Sequence, residues 1–230
     1  MNLLNLIQTF ISLFYPKLCV LCGDPLVEGE NYFCLECFLK LPKTNYHLNV
    51  ENPATARFAG KIPLVKAASY LYYNKGGISQ TLIAEIKYKD NRDLGEWMGA
   101  FVAKEWLPSG FFSGIDCLIP VPLHPSKERQ RGFNQAEAIA AGISRITNIP
   151  VDTENVFRTR ANVSQTKKDS FERWKNTVGL FDVKNPDAFK DKHILIVDDV
   201  LTTGSTIESV AQSILKANGV QINFLSLAIT

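Results

Sequence analysis

Ile194-Leu195-Ile196-Val197-Asp198-Asp199-Val200-Leu201-Thr202-Thr203-Gly204-Ser205-Thr206 is the stretch on which the fold turns. The fully apolar run from His193 to Val197 predicts a strand buried on both faces, as strands of parallel sheets are. It runs into two adjacent carboxylates, then into a hydroxyl-rich turn with one glycine. A helix over Thr206–Ala217 follows, closed by Asn218-Gly219 as a left-handed cap. Ligands of open α/β sheets bind beyond the carboxyl ends of the strands. The two acids and the turn are therefore delivered to the edge where a ligand lies.

Outward from this segment, strand and helix patterns alternate. Ile62 to Tyr73 is rich in β-branched and aromatic residues and predicts a strand. Ile78–Lys89 and Leu94–Leu107 carry helical apolar spacing. Ile115–Val121 is a compact apolar strand, Asn134–Ile146 an Ala-rich helix able to pack closely, and Val220–Ile229 a last strand. Phe157 to Asn176 is polar and basic and reads as a loop followed by a short helix. The alternation predicts an α/β domain with a parallel sheet.

Length and charge bound the possibilities. The chain has 230 residues, 46% hydrophobic and 21% charged, which excludes disorder, collagen and coiled coil. Lys and Arg total 25 against 23 Asp and Glu, a net charge of +2, so any nucleic-acid binding must come from a local patch. No apolar run reaches the roughly 18 residues of a membrane helix.

Each residue of the turn has a physical task. Gly204 admits a left-handed backbone or a close approach. Successive N–H groups from Thr202 to Thr206 can then converge as an anion nest at a helix start. Thr203, Ser205 and Thr206 add hydroxyl donors. Ionised, Asp198 and Asp199 only accept hydrogen bonds, which suits sugar hydroxyls or a hydrated magnesium ion. Acids beside a phosphate cradle repel the phosphate unless a ribose lies between them. The ligand described by these residues is a ribose 5-phosphate. The alternative for the same residues is a plain capped helix.

Upstream stands Ile119-Pro120-Val121-Pro122-Leu123-His124-Pro125, then Arg129-Gln130-Arg131-Gly132-Phe133-Asn134-Gln135. Three prolines impose a rigid turn, one that can hold a strained or cis peptide. Lys127, Arg129 and Arg131 form a basic cluster ahead of the next helix, which Asn134 can cap. A rigid turn followed by cations suits a pyrophosphate; the alternative for the same residues is a proline-stiffened loop with a solvated basic face. The three histidines, His47, His124 and His193, form no catalytic pair. His124 lies near the proposed pyrophosphate turn, and His193 reads as structural.

Four of the five cysteines form two pairs, Cys19 with Cys22 and Cys34 with Cys37, eleven residues apart. Doubled Cys-x-x-Cys pairs close a tetrahedral thiolate site for zinc, with an iron–sulfur cluster as the rival. Cys117 reads as a small core residue. Met1 to Tyr15 lacks a basic n-region and a small-residue cleavage site, so a cytoplasmic location is expected. Leu3, Ile7, Phe10 and Phe14 recur at helical spacing up to Pro16. This predicts a short amphipathic helix that packs on the protein or lies on a membrane surface, although its polar face carries no Lys or Arg. The composition divides the chain at about residue 60: 1–59 with the short helix and the cysteine module, 60–230 with the α/β domain.

The Asp198–Thr206 segment resembles the phosphoribosyl-pyrophosphate motif of type I phosphoribosyltransferases. The Pro-Val-Pro-Leu-His and Arg-Gly-Phe-Asn-Gln strings add to it, as do Arg158-Thr159-Arg160, Ser164-Gln165-Thr166, Glu172-Arg173 with Asn176, and the leading cysteines. With these, nearly the whole chain resembles the ComF family of competence-associated proteins. The resemblance implies a type I phosphoribosyltransferase-like domain preceded by a small zinc ribbon built on four cysteines. This sequence carries one cysteine set where the family module is often a double ribbon, so one structural zinc is expected, on Cys19, Cys22, Cys34 and Cys37. Asp198 and Asp199 would hold ribose, and Thr202, Thr203, Gly204, Ser205 and Thr206 the 5-phosphate. Pro122, Leu123, His124, Arg129 and Arg131 would face pyrophosphate with magnesium.

The basic stretch Arg158 to Lys175, with Arg160, Lys167, Lys168 and Arg173, reads as a cover over the ligand or as a mobile solvated loop. Two functions follow. One is transfer of a phosphoribosyl group to an acceptor that the sequence does not name. The other is a non-catalytic module holding phosphates or single-stranded DNA beside a DNA-uptake helicase. The sequence does not give the oligomeric state.

Overall fold

The computed structural model describes residues 16–88, 91–159 and 179–230. The predicted helix before Pro16 and the basic segment from Arg160 through Lys175 to Asn176 lie outside the described residues.

Four parallel strands form the central sheet: β1 (Lys66–Tyr72), β2 (Cys117–Pro120), β5 (His193–Leu201) and β6 (Gln221–Ile229), in the order β1-β6-β5-β2. Both faces are covered, which is why β5 and β6 can be almost uniformly apolar. Leu195, Val197, Leu225 and Leu227 face one side. There they meet α3 (Ile78–Tyr88), α4 (Arg92–Trp106) and α6 (Gln135–Thr147) through Ile86, Met98 and Ile139. Ile194, Ile196, Ile222 and Phe224 face the other, against α2 (Pro53–Ala56), Phe58 and α7 (Ser205–Ile214). A two-stranded antiparallel ribbon, β3 (Val156–Arg158) with β4 (Phe181–Val183), extends this second side.

α4 and α6 pack through glycine. A Cβ on Gly99 would stand 2.0 Å from the Ile139 carbonyl oxygen, and one on Gly142 would stand 1.9 Å from that of Glu96. Only hydrogen fits at either position, so the two backbones touch. Asn134 fixes the start of α6 by accepting from the Ala136 N–H at 3.0 Å and donating to the Val121 carbonyl at 3.1 Å. The helix is thereby tied to the end of β2.

The structure departs from the sequence-based boundaries in several places, among them the helix after the acid pair, which ends at Ile214 with Leu215 as its cap rather than at Ala217 and Asn218-Gly219. β1 begins at Lys66 rather than Ile62, because Ile62 to Val65 turn on to the sheet edge; there the Val65 N–H reaches the Ile222 carbonyl. β5 continues past Val197 to Leu201, so both acids lie within the strand. The basic stretch before Asn134 is itself a short helix, α5 (Pro125–Arg131), with Pro125 at its first position and Gly132 left-handed at its end (φ 81°). The proline turn holds no cis bond, and none occurs among the described residues.

The cysteine module, including α1 (Leu35–Leu39), is packed on the same core as α4. Phe33 and Tyr32 meet Trp97 at ring distances of 5.3 and 5.4 Å, and Phe38 meets Phe101 at 5.4 Å.

Candidate phosphate and sugar site

Asp198 and Asp199 sit near the carboxyl end of β5, and strand alternation sends their side chains to opposite faces. Asp199 turns to the α3 side, where the Lys87 ammonium meets its Oδ2 at 2.9 Å. Asp198 is on the β3 side. Burial, and then the neighbouring Asp199 carboxylate, raise it to about 7. The Asp199 N–H, which donates to Asp198 Oδ1 at 2.8 Å, works against that rise, as do Lys87 and Arg131. Arg158, on β3, is lowered by its own burial and sustained by Asp198. The two acids thus straddle the sheet edge, Asp199 paired with Lys87 and Asp198 within electrostatic reach of Arg158.

The turn beyond them is open. Thr202 and Thr203 are exposed, and Ser205 and Thr206 are partly so. Gly204 is left-handed at φ 84°, and a Cβ there would lie 2.9 Å from the Phe58 ring. The Thr203 and Ser205 hydroxyls stand 3.0 Å apart. The turn is held from behind by residues that precede β1 in the chain. Arg57 donates to the Thr202 and Thr230 carbonyls, and Lys61 pairs at 2.7 Å with Glu208, whose carboxylate is buried in the first turn of α7.

Pro122 and Leu123 lie partly buried beyond β2. His124 does not offer a ring N–H to the site through Nδ1. That nitrogen accepts from the Ser126 N–H at 3.2 Å and lies 2.7 Å from its hydroxyl, capping α5. Arg129 and Arg131 meet Lys87, Tyr88 and Lys127 around a cleft of about 540 Å³. Arg131 donates to Gln135 Oε1 at 2.9 Å and lies 5.8 Å from the centre of the Tyr88 ring. The Lys127 ammonium is pushed down by desolvation and then by Arg158, Arg131 and Lys87, a sign of crowded positive charge. A second cleft of about 410 Å³ opens on the other side of Lys87 and Tyr88, walled by Asp199 and Thr202. Lys87 thus stands between an acid and a cation cluster. Its signal in the sequence was slight, since a lysine in the last turn of a helix is ordinary.

The four module cysteines fit a metal. Their sulfurs all lie within 4.8 Å of one another, and Cys22 and Cys34 are 3.7 Å apart. A tetrahedron with bonds of about 2.3 Å has edges of about 3.8 Å. Each pair forms a tight turn. The Gly23 N–H reaches the Cys19 carbonyl at 2.9 Å with Gly23 left-handed at φ 83°, and the Cys37 N–H points to Cys34 Sγ at 3.5 Å. Cys117 is buried in β2, as a core residue. His193 begins β5, its N–H donating to Asp116 at 2.8 Å.

Comparison with known proteins agrees with this arrangement. Residues 130–228 match the Phosphoribosyl transferase domain family. DNA utilization protein YhgH of Escherichia coli (strain K12) is 30% identical over 220 residues, covering 87% of this chain and 92% of that protein. Competence protein F of Haemophilus influenzae is 33% identical over 49% of this chain and 50% of that one. Competence protein ComFC of Bacillus subtilis is 35% identical over 43% of this chain and 38% of that one. With a parallel sheet, a phosphoribosyltransferase domain and a four-cysteine module of this kind, the chain belongs to the ComF family.

Proposed function

We propose that the protein binds phosphoribosyl pyrophosphate, or a related ribose 5-phosphate, with magnesium. The observation that carries this reading is the order of charges along one edge: an open hydroxyl turn, then two carboxylates, then a cleft lined by Lys87, Lys127, Arg129 and Arg131. A 5-phosphate takes the backbone N–H groups and hydroxyls of Thr202, Thr203, Gly204, Ser205 and Thr206. The ribose hydroxyls donate to Asp198 and Asp199. The pyrophosphate enters the cation cleft, beside the Pro122-Leu123-His124 turn. Magnesium, when bound, neutralises pyrophosphate charge. Asp198 or Asp199, oxygen donors of the kind it prefers, would hold the hydrated ion. In such a complex the chain itself orients the sugar and screens the departing anion.

The cysteine module, residues 1–59, holds one structural zinc ahead of the ligand-binding domain, residues 60–230, and the protein works in the cytoplasm. Calorimetry with phosphoribosyl pyrophosphate and magnesium tests the central claim. Binding that is lost in Asp198→Asn/Asp199→Asn is expected, and absence of binding to the intact chain would overturn it.

A second reading, a non-catalytic module that grips single-stranded DNA beside a DNA-uptake helicase, is favoured by one feature. Lys127 and Arg129 are exposed on α5, where a phosphate backbone can reach them. Affinity for an oligonucleotide that falls steeply with salt supports it. Undetectable binding at low salt removes it.

A further inference from the structure

The four sulfurs of the cysteine module are not equivalent. Cys19 and Cys37 are 2% and 6% exposed and belong to the core that the module shares with α4. Cys22 is exposed and Cys34 partly so. These two outward sulfurs come from different Cys-x-x-Cys pairs, yet they stand 3.7 Å apart. From there a disulfide, with its bond of about 2 Å, needs only a short approach.

A neighbouring charge singles out Cys22 further. Asp24 Oδ2 lies 3.2 Å from its sulfur. A cysteine that holds a metal does so as a thiolate, so two anions face each other there, and solvent screens their repulsion only in part. Cys34 has the opposite surroundings, since the Cys37 N–H points to its sulfur at 3.5 Å. Cys22 is thus the ligand most open to a dissolved oxidant and the one that a neighbouring carboxylate opposes.

We infer that the outward pair is an oxidation site, at which a peroxide joins Cys22 to Cys34 and releases the zinc. This inference rests on the proposed zinc reading of the module. The Cys22 thiolate attacks one oxygen of the peroxide, the oxygen–oxygen bond breaks, and a sulfenic acid and one hydroxide result. The Cys34 thiolate then attacks the Cys22 sulfur, and the sulfur–oxygen bond breaks with loss of a second hydroxide. Two thiolates give up two electrons, and the peroxide takes both. Cys19 and Cys37 remain, two ligands where zinc takes four. The change reaches the body of the protein directly, because Phe33, the residue before Cys34, sits against Trp97 at 5.3 Å. Cys117, buried in β2, takes no part.

The test treats the full zinc-loaded chain with hydrogen peroxide and follows zinc release with a metal-responsive dye. Dimedone, which captures sulfenic acids, is expected to mark Cys22. Without dimedone, peptide mapping is expected to show Cys22 joined to Cys34 as zinc appears, with a change in tryptophan emission that thiol reductant and added zinc reverse. Asp24→Asn should slow zinc release by about threefold or more, while Asp24→Glu, which keeps the charge, should stay within about twofold of the parent. A first disulfide within either Cys-x-x-Cys pair overturns the inference, as does a first dimedone mark on Cys19 or Cys37. Zinc retained after oxidation, or equal rates in the parent and Asp24→Asn, overturns it as well. A parent chain that carries iron or no metal before any peroxide is added strikes the zinc reading, and the inference falls with it.

Discussion

Lys87 and Asp199 form a 2.9 Å ion pair across the carboxyl edge of the sheet, the lysine from the last turn of α3 and the acid from β5. Their side chains retain 21% and 13% of their exposure, so solvent screens the pair only in part. Removing the cation alone leaves a partly buried carboxylate without its partner. Lys87→Met should lower stability by about 1–3 kcal/mol, and Lys87→Met/Asp199→Asn should recover most of it. A double-mutant cycle by urea denaturation reads the coupling. Additive losses would show that the pair contributes nothing.

Asp198 predicts a pH dependence with a definite sign. Its carboxyl is raised from the usual carboxylate range to about 7. The folded state therefore holds a proton that the unfolded state releases, and this contribution to stability is lost as pH rises from about 4 through 7. Asp198→Asn should flatten that decline, standing roughly 2–8 °C above the parent in melting temperature at pH 8 relative to its standing at pH 5. Magnesium-dependent ligand binding needs the ionised acid. It should strengthen as pH rises to about 7 and level off above, a profile that calorimetry at several pH values reads directly.

Gly204 and Arg57 set the shape of the Thr202–Thr206 turn from two sides. A methyl at Gly204 combines a left-handed φ of 84° with a 2.9 Å approach to Phe58. Gly204→Ala should cost about 1–3 kcal/mol of stability and most of the affinity for a 5-phosphate. Arg57→Ala should act more mildly on the fold and weaken ribose 5-phosphate binding several-fold, by freeing the Thr202 carbonyl. Thermal melts with and without ribose 5-phosphate separate the two effects.

The cysteine cluster predicts one zinc per chain by elemental analysis. Chelation should unseat Phe33 and Tyr32 from Trp97, giving a change in tryptophan emission together with a lower melting temperature. Cys34→Ser should do the same without chelator. An unaltered spectrum after complete metal removal would show that packing alone holds the module.

The sheet and the acid-rich turn were legible because each is local. Four branched apolar residues bounded by acids and a turn point to a buried strand, and Gly204 among hydroxyls marks a turn within a few positions. The Asn134 cap and the close-packing helix it starts were readable for the same reason. Lys87, Arg57 and Lys61 were not. Their partners stand more than 100 residues away in the chain, at Asp199, Thr202 and Glu208, and no short-range pattern records such a pairing. β3 escaped notice because three residues carry too little periodicity, and its partner β4 follows only after the basic segment. α5 was hidden by its prolines, which read as turn signals although Pro125 occupies the one helical position that favours proline.

α5 carries Lys127, Arg129 and Arg131 yet contributes no buried side chain to the core. α6, directly after it, is anchored by seven buried residues and touches α4 backbone to backbone. The protein therefore pairs a fixed chassis with a positive arm that adds charge to the sheet edge without adding to the packing beneath it.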